Sequence, residues 1–91
     1  MGGSFVQPAV LVSAIPPIYP APAKALGIKG IVSVHFVIDK NGSVKNVTVV
    51  KGDAALTQAA IDAVSQWRYK PATMGGTPVE TDATVNLQFS P

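Results

Sequence analysis

Apolar residues repeat along this chain with two different periods, and the change of period marks where a helix gives way to strands. In residues 52–72 they recur at steps of three and four, which predicts an amphipathic α-helix over residues 54–67. Asp53 is placed to cap its first turn, and Pro71 cannot continue it. Because a lone helix of this length is only marginally stable in water, it needs an apolar surface to pack against. Its apolar side consists of Leu56, Ala59, Ala60, Ala63, Val64 and Trp67.

A hairpin is predicted before this helix. Residues 31–39 alternate between apolar and polar positions, and the dipeptide Asn41-Gly42 favours a tight turn into a second strand over residues 43–51. Val44 is out of phase with Val47 and Val49, so we expect a β-bulge near Lys45-Asn46. The inward positions are Val32, Val34, Phe36 and Ile38 on the first strand and Val44, Val47 and Val49 on the second.

A third alternating segment closes the chain, beginning at Val79 or Thr81 and ending at Phe89. Its inward positions are Ala83, Val85, Leu87 and Phe89, and its outward positions are Asp82, Thr84, Asn86 and Gln88.

The remaining segments are short or irregular. Residues 5–22 are apolar and contain five prolines, so they should be mostly extended. Within them, residues 9–15 form either a short strand or part of a flexible linker, and their apolar content favours the ordered form. Residues 21–26 are predicted to form a short helix that ends before Gly27, and residues 72–78 are predicted to form a loop.

These elements predict an α+β fold. It is a two-layer sandwich in which a three-stranded antiparallel sheet packs against one main helix, with a short N-terminal helix in addition. The third strand can add to either side of the hairpin, and pairing with the first strand gives the order second, first, third. The third strand then lies at an edge of the sheet, and neither proline nor lysine interrupts it between Glu80 and Ser90. An unguarded edge is a template for another strand, from a partner or from a second copy of the chain.

The length, charge and residue content of the chain argue against several classes of function. The 91 residues fit one domain, and a net charge of +2 without basic clusters gives no sign of nucleic-acid binding. The chain has no cysteine, and it contains no apolar run long enough to span a membrane and no signal peptide. Met1-Gly2-Gly3-Ser4 resembles an expression scar, which would make the chain a piece of a longer protein from which any membrane anchor is missing.

Residues capable of chemistry are few. His35 is the only histidine, and its nearest acid in sequence is Asp39, which is too little for a metal site or an acid–base pair. No cofactor-binding motif occurs, so we expect no catalytic residue, metal or cofactor. Trp67 is better explained as a core anchor than as a stacking platform, whereas Tyr19 either packs locally or contacts a partner. Arg68 reads as a solvated cation at a helix end.

Four short motifs follow one another between residues 16 and 90. They are Ile18-Tyr19-Pro20, Asp39-Lys40-Asn41-Gly42, Trp67-Arg68-Tyr69-Lys70-Pro71-Ala72 and Gly76-Thr77-Pro78-Val79. In this order, and followed by the alternating last strand, they resemble the C-terminal domain of TonB-family energy transducers. The resemblance assigns residues 16–91 to that domain and residues 5–15 to a leader or to the end of a spacer.

The resemblance implies a non-enzymatic periplasmic domain of a protein anchored in the inner membrane. Such a protein would associate with ExbB and ExbD through its missing N-terminal region. Its C-terminal domain would bind the TonB box, an extended segment of an outer-membrane transporter, as an added strand that drives nutrient uptake. The residues that would contact this partner are Tyr19, Pro20, Thr84, Val85, Asn86, Leu87, Gln88 and Phe89.

One alternative stays open at this point. Envelope linkers of the TolA type have a similar domain and bind protein partners without energising transport. A domain of that kind could self-associate through the same edge as a homodimer, or dock to a scaffold.

Overall fold

The chain folds into a central three-stranded sheet with a helix on one face and two small sheets that extend it at one end. A computed structural model describes residues 5–90, so the predicted expression scar at residues 1–4 and the final Pro91 lie outside the described part. The elements are β1 (Val6–Gln7), β2 (Val10–Ser13), α1 (Ala21–Ala25), β3 (Gly30–Ile38), β4 (Val44–Lys51), α2 (Ala54–Val64), β5 (Arg68–Lys70), β6 (Ala72–Met74), β7 (Thr77–Val79) and β8 (Thr81–Phe89).

The central sheet has the strand order β4-β3-β8 and is antiparallel throughout, which confirms the predicted α+β sandwich and its strand order. β3 lies in the middle, and its inward side chains form the centre of the core. Val32, Val34 and Phe36 are completely buried there, because β3 has a neighbour on both sides and a helix above it.

The turn between β3 and β4 is held by a side chain and by a close main-chain contact. Asp39 Oδ1 accepts hydrogen bonds from the N–H groups of Asn41 and Ser43, both at 2.9 Å, and the bond from Ser43 is the main reason that the pKa of Asp39 is lowered. Gly42 has φ 83° and its carbonyl accepts from the N–H of Tyr69 at 2.9 Å. The turn is therefore tied to the chain beyond α2.

The predicted bulge in β4 is confirmed. The register of β3 with β4 shifts between His35 and Val37, and Asn46 opposite this point has φ 54°. A second shift follows at Ser33. The extra residues let Val44, Val47 and Val49 face the core in spite of their uneven spacing.

Helix α2 begins as predicted, with Asp53 Oδ1 accepting from the N–H of Ala55 at 2.8 Å. It ends at Val64, three residues before the predicted end at Trp67. The next residues tighten into three-residue turns, in which the N–H of Trp67 bonds to the carbonyl of Val64 at 3.0 Å. Trp67 is only 7% exposed, its ring meets Phe36 edge-on, and its Nε1–H donates to the carbonyl of Ile15 at 2.9 Å, as expected of a core anchor.

The prediction of a loop over residues 72–78 is wrong. This segment is a hairpin of β6 and β7 that turns at Gly75-Gly76, and β1 pairs with β6 on its other side. β2 pairs with β5, which confirms a strand within residues 9–15, although a shorter one. We call β1, β2, β5, β6 and β7 together the arm. The arm was missed because strands of two to four residues are too short to show a period, and because the partners of β1 and β2 lie more than fifty residues away in the sequence.

The short helix α1 is confirmed. It has proline in its first turn, and Gly27 follows it with φ 71°. Ala23 faces the core from this helix and is buried.

Gly42 and Gly76 form a matched pair for testing how the β3–β4 turn is held. Both have nearly the same positive φ, 83° and 86°, but a Cβ on Gly42 would lie 1.8 Å from the Tyr69 carbonyl oxygen, whereas one on Gly76 would meet nothing within 4 Å. Gly76→Ala should cost about 1 kcal/mol through backbone strain alone. Gly42→Ala should cost about 2–4 kcal/mol, because the clash adds to the strain. Urea unfolding measures both, and equal losses would contradict the close contact.

Candidate functional site

One edge of the central sheet is long, regular and unpaired. β8 pairs with β3 residue for residue from Gly30 opposite Phe89 to Ile38 opposite Thr81, without a register shift. Among residues 5–90 no strand pairs with its other side. β8 therefore presents an uninterrupted row of main-chain N–H and C=O groups to a further strand.

The opposite edge of the same sheet is different. β4 contains two register shifts and the left-handed Asn46, which bend it and break its row of main-chain groups. Lys45 on this strand donates to Glu80 Oε2 at 2.6 Å, and this bond raises the pKa of Lys45. Charged side chains and bulges are common protection for sheet edges. Of the two edges, β8 is the one suited to adding a strand.

Side chains of β8 alternate as the sequence predicts. Leu87 and Phe89 are buried and Val85 is half-buried, whereas Thr84, Asn86 and Gln88 are exposed. The six predicted partner-contacting residues of this strand thus lie along the open edge, three on each face.

Tyr19 is brought to the end of this edge. Its hydroxyl donates to the carbonyl of Ile28, and its ring meets Phe89 edge-on with the centroids 5.7 Å apart. Tyr19 is half-buried, so local packing is the interpretation that the structure favours. Its contact with Phe89 nevertheless places it beside β8.

Pro20 follows Tyr19 but has a different position. It is the N-cap residue of α1, and its carbonyl accepts from the N–H of Lys24 at 2.9 Å. Its side chain borders a groove of about 440 Å³ between residues 15–20 and α2. Tyr19 therefore contacts β8 directly, whereas Pro20 is connected to this strand only as the residue that follows Tyr19.

Polar side chains cover the outer face of the sheet. His35 Nε2 lies 3.8 Å from Asp82 Oδ2, and Ser33 Oγ donates to Asn86 Oδ1 at 2.6 Å. The acid beside His35 is therefore Asp82 and not Asp39, which holds the turn. The sequence could have indicated this only through the pairing of β3 with β8. Within residues 5–90 no three potential metal ligands cluster together.

Arg68 is exposed and lies against the β3–β4 turn, where its guanidinium donates to Ser43 Oγ. Burial raises the pKa of the neighbouring Tyr69, whose ring packs on Phe36. Both residues of this motif thus make contacts within the domain.

Sequence reasoning missed a groove beside the first residues of β8. It has a volume of about 360 Å³ and lies between β8 and the arm, with Tyr69 and Ala72 among the residues of its wall. The groove exists because the arm lies beside β8, and the hydrophobic periodicity of the sequence did not predict the arm. Across the described residues, no helix has the length and apolarity needed to cross a membrane.

These observations define a small two-layer α+β domain with one free and regular sheet edge. The family model of the Gram-negative bacterial TonB protein C-terminal matches residues 15–91. Protein TonB of Escherichia coli K12 is 38% identical over 75 residues, which are 80% of this chain and 29% of that protein. Protein TonB of Xanthomonas campestris pv. campestris is 34% identical over 77 residues, or 82% of this chain and 34% of that protein.

The fold gives the same result. The solution NMR structure of the Pseudomonas aeruginosa TonB C-terminal domain superposes with a TM-score of 0.76 at 29% identity, covering 91% of this chain and 86% of that one. The chain belongs to the family of TonB C-terminal domains. It spans about a third of the length of the curated relatives it matches.

Tyr19 offers a test of how firmly the end of β8 is held. Tyr19→Phe removes only the hydroxyl bond to Ile28 and should cost about 1 kcal/mol. Tyr19→Ala also removes the ring from Phe89 and should cost about 2–3 kcal/mol. Hydrogen exchange at residues 88 and 89, one of which donates to β3, should show weaker protection in the alanine variant than in the phenylalanine variant. Equal stability and protection in the two variants would show that the ring contact does not hold the strand.

Proposed function

We propose that this chain is the periplasmic C-terminal domain of a TonB-like energy transducer. In this role it binds the TonB box of an outer-membrane transporter as a strand added to β8, and force passed through this contact drives nutrient uptake. The role is mechanical, and no catalytic residue, metal or cofactor takes part in it.

The open edge of β8 is the observation that carries this proposal. Nine residues in unbroken register give an added strand several main-chain hydrogen bonds, each contributing about 1 kcal/mol net. Ordering a flexible peptide offsets much of this gain. We therefore expect a dissociation constant in the range from about 1 µM to 1 mM.

Force transmission also requires that β8 be fixed to the rest of the domain. Its register with the buried β3 provides this along the whole strand, and Tyr19 supports the Phe89 end. Hydrogen bonds along such paired strands share a load. The edge is thus both available to a partner and anchored to the core.

The rest of the proposed protein lies outside this chain. Because the curated relatives are about three times longer, we propose that a preceding region anchors the protein in the inner membrane and associates with ExbB and ExbD there. This domain would then lie in the periplasm at the far end of a spacer.

A second candidate function rests on the same edge. An envelope domain of the TolA type could pair β8 with its own copy or with a scaffold protein, without any link to transport. Analytical ultracentrifugation distinguishes the two candidates. A homodimer formed through β8 requires that the molecular mass of the domain rise with concentration, and the paired β8 edge should then not bind a peptide.

Peptide binding tests the leading proposal. A peptide with the TonB-box sequence of an outer-membrane transporter, titrated into the labelled domain, should shift the amide resonances of residues 84–89 more than those of β4. A scrambled peptide of the same composition is the control. The absence of shifts at millimolar peptide would count against the proposal.

Proline substitutions test whether the main chain of β8 makes the contact. Successive N–H groups of a strand point to opposite edges, so the N–H groups of Ala83 and Asn86, three positions apart, do so as well. Of the variants Asn86→Pro and Ala83→Pro, one therefore loses a donor at the free edge, and the other loses a donor of the ladder with β3. The free-edge variant should stay folded and lose peptide binding, whereas the ladder variant should unfold more easily. Thermal melting shows which variant is which, because the ladder variant should melt at the lower temperature. A folded free-edge variant that keeps full affinity would place the peptide elsewhere.

A further inference from the structure

The inward side chains at the start of β8 are smaller than those at its end. Thr81 and Ala83 stand at the start, whereas Leu87 and Phe89 stand at the end, where the ring of Tyr19 meets Phe89. Helix α2 packs mainly on β3 and β4 and does not cover the start of β8. Small side chains therefore coincide with the part of the strand that no helix covers.

The groove of about 360 Å³ lies at this place. Its walls are mostly apolar and come from the arm, from the end of β3 and from β8 itself. Asp82 also borders the groove, although its side chain points to the outer face towards His35. The groove thus reaches the main chain of β8, next to the open edge. The apolar walls include Val6, Ala9, Ile38, Tyr69 and Ala72.

Thr81 lines the groove, but its hydroxyl oxygen is not exposed in it. Thr81 Oγ1 is buried and makes no hydrogen bond to the described residues. Because this oxygen is not accessible, the groove offers an occupant mainly apolar contacts. An aliphatic side chain of a peptide strand matches these walls, while the main chain of the same strand pairs with the open edge beside them.

We propose that this groove is a side-chain subsite for the strand that adds to β8, an inference that rests on the proposed function. An added strand lies about 4.8 Å beyond β8, and every second side chain of it points to the inner face. The inward residue nearest Ala83 enters the groove, because the short alanine leaves the space open. The subsite takes an aliphatic side chain, and it excludes a charged one, which would lose its hydration there.

The subsite requires an extended segment with a particular pattern. One apolar residue must face inward at this register, while its neighbours on the outer face lie beside the polar Thr84 and Asn86. The main chain supplies most of the affinity, and this one side chain fixes the register of the added strand along β8.

A double-mutant cycle tests the subsite. In a transporter's TonB-box peptide, each apolar residue is changed to alanine, and each peptide is titrated into the wild-type domain and into Ala83→Leu, which fills the groove. In the wild type, one position should lose about tenfold in affinity on truncation. In Ala83→Leu the parent peptide should bind about tenfold more weakly, and truncation at that position should cost nothing further.

Ala59→Leu is the matched control, because Ala59 is also a half-buried alanine but lies on α2, beside the other groove. It should leave the peptide affinities unchanged. Thermal melting checks that both variants fold, and Ala83→Val replaces Ala83→Leu if the larger residue unfolds the domain. An NOE between the sensitive peptide residue and the Ala83 methyl group should be present in the wild type.

The outcomes separate this inference from the proposed function. Shifts at residues 84–89 without any sensitive apolar position, or with Ala83→Leu indistinguishable from the wild type, overturn the subsite and leave strand addition standing. A loss caused by Ala59→Leu instead also overturns the subsite. No binding of the parent peptide to the wild-type domain overturns both.

Discussion

The burial of β3 is the constraint on which the rest of this structure depends. Its inward side chains are shielded by α2 above and by a strand on each side. The single long helix lies over β3 and β4, the strands joined by the tight hairpin. β8 therefore receives its cover from β3 and from Tyr19, and its outer edge stays open. The free edge follows from where the only long helix of residues 5–90 lies.

The two edge strands of the sheet differ because they are connected to the rest of the chain in different ways. β4 follows directly from β3 and must turn into α2, so it is bent by bulges at Asn46 and near its end. β8 arrives through the arm, after a separate hairpin, and has no turn in common with β3. It can therefore keep one register over nine residues. A straight edge is also the better template for main-chain pairing.

Periodicity predicted the elements whose own side chains repeat, namely β3, β8 and α2. It left open which side of the hairpin β8 joins, and β8 joins β3. It could not predict the arm, because Val6 pairs with Met74 and Val10 with Lys70 across segments too short to show a period. The groove beside Ala83 depends on the arm and was missed for the same reason. The end of α2 was misplaced because Trp67 continues the apolar spacing of the helix after its hydrogen bonds have tightened.

The most recognisable residues of the chain and its proposed binding surface are different sets, and the physics of strand addition explains why. Trp67 fixes Ile15 through its indole N–H, and Tyr19 fixes Ile28 and Phe89, so these motif residues hold the N-terminal segment against the sheet. The β8 edge would bind through main-chain groups that every residue except proline possesses. Recognition of that kind leaves little trace in the sequence beyond the absence of proline and lysine. Only side-chain features next to the edge, such as the small Ala83, can then distinguish one partner strand from another.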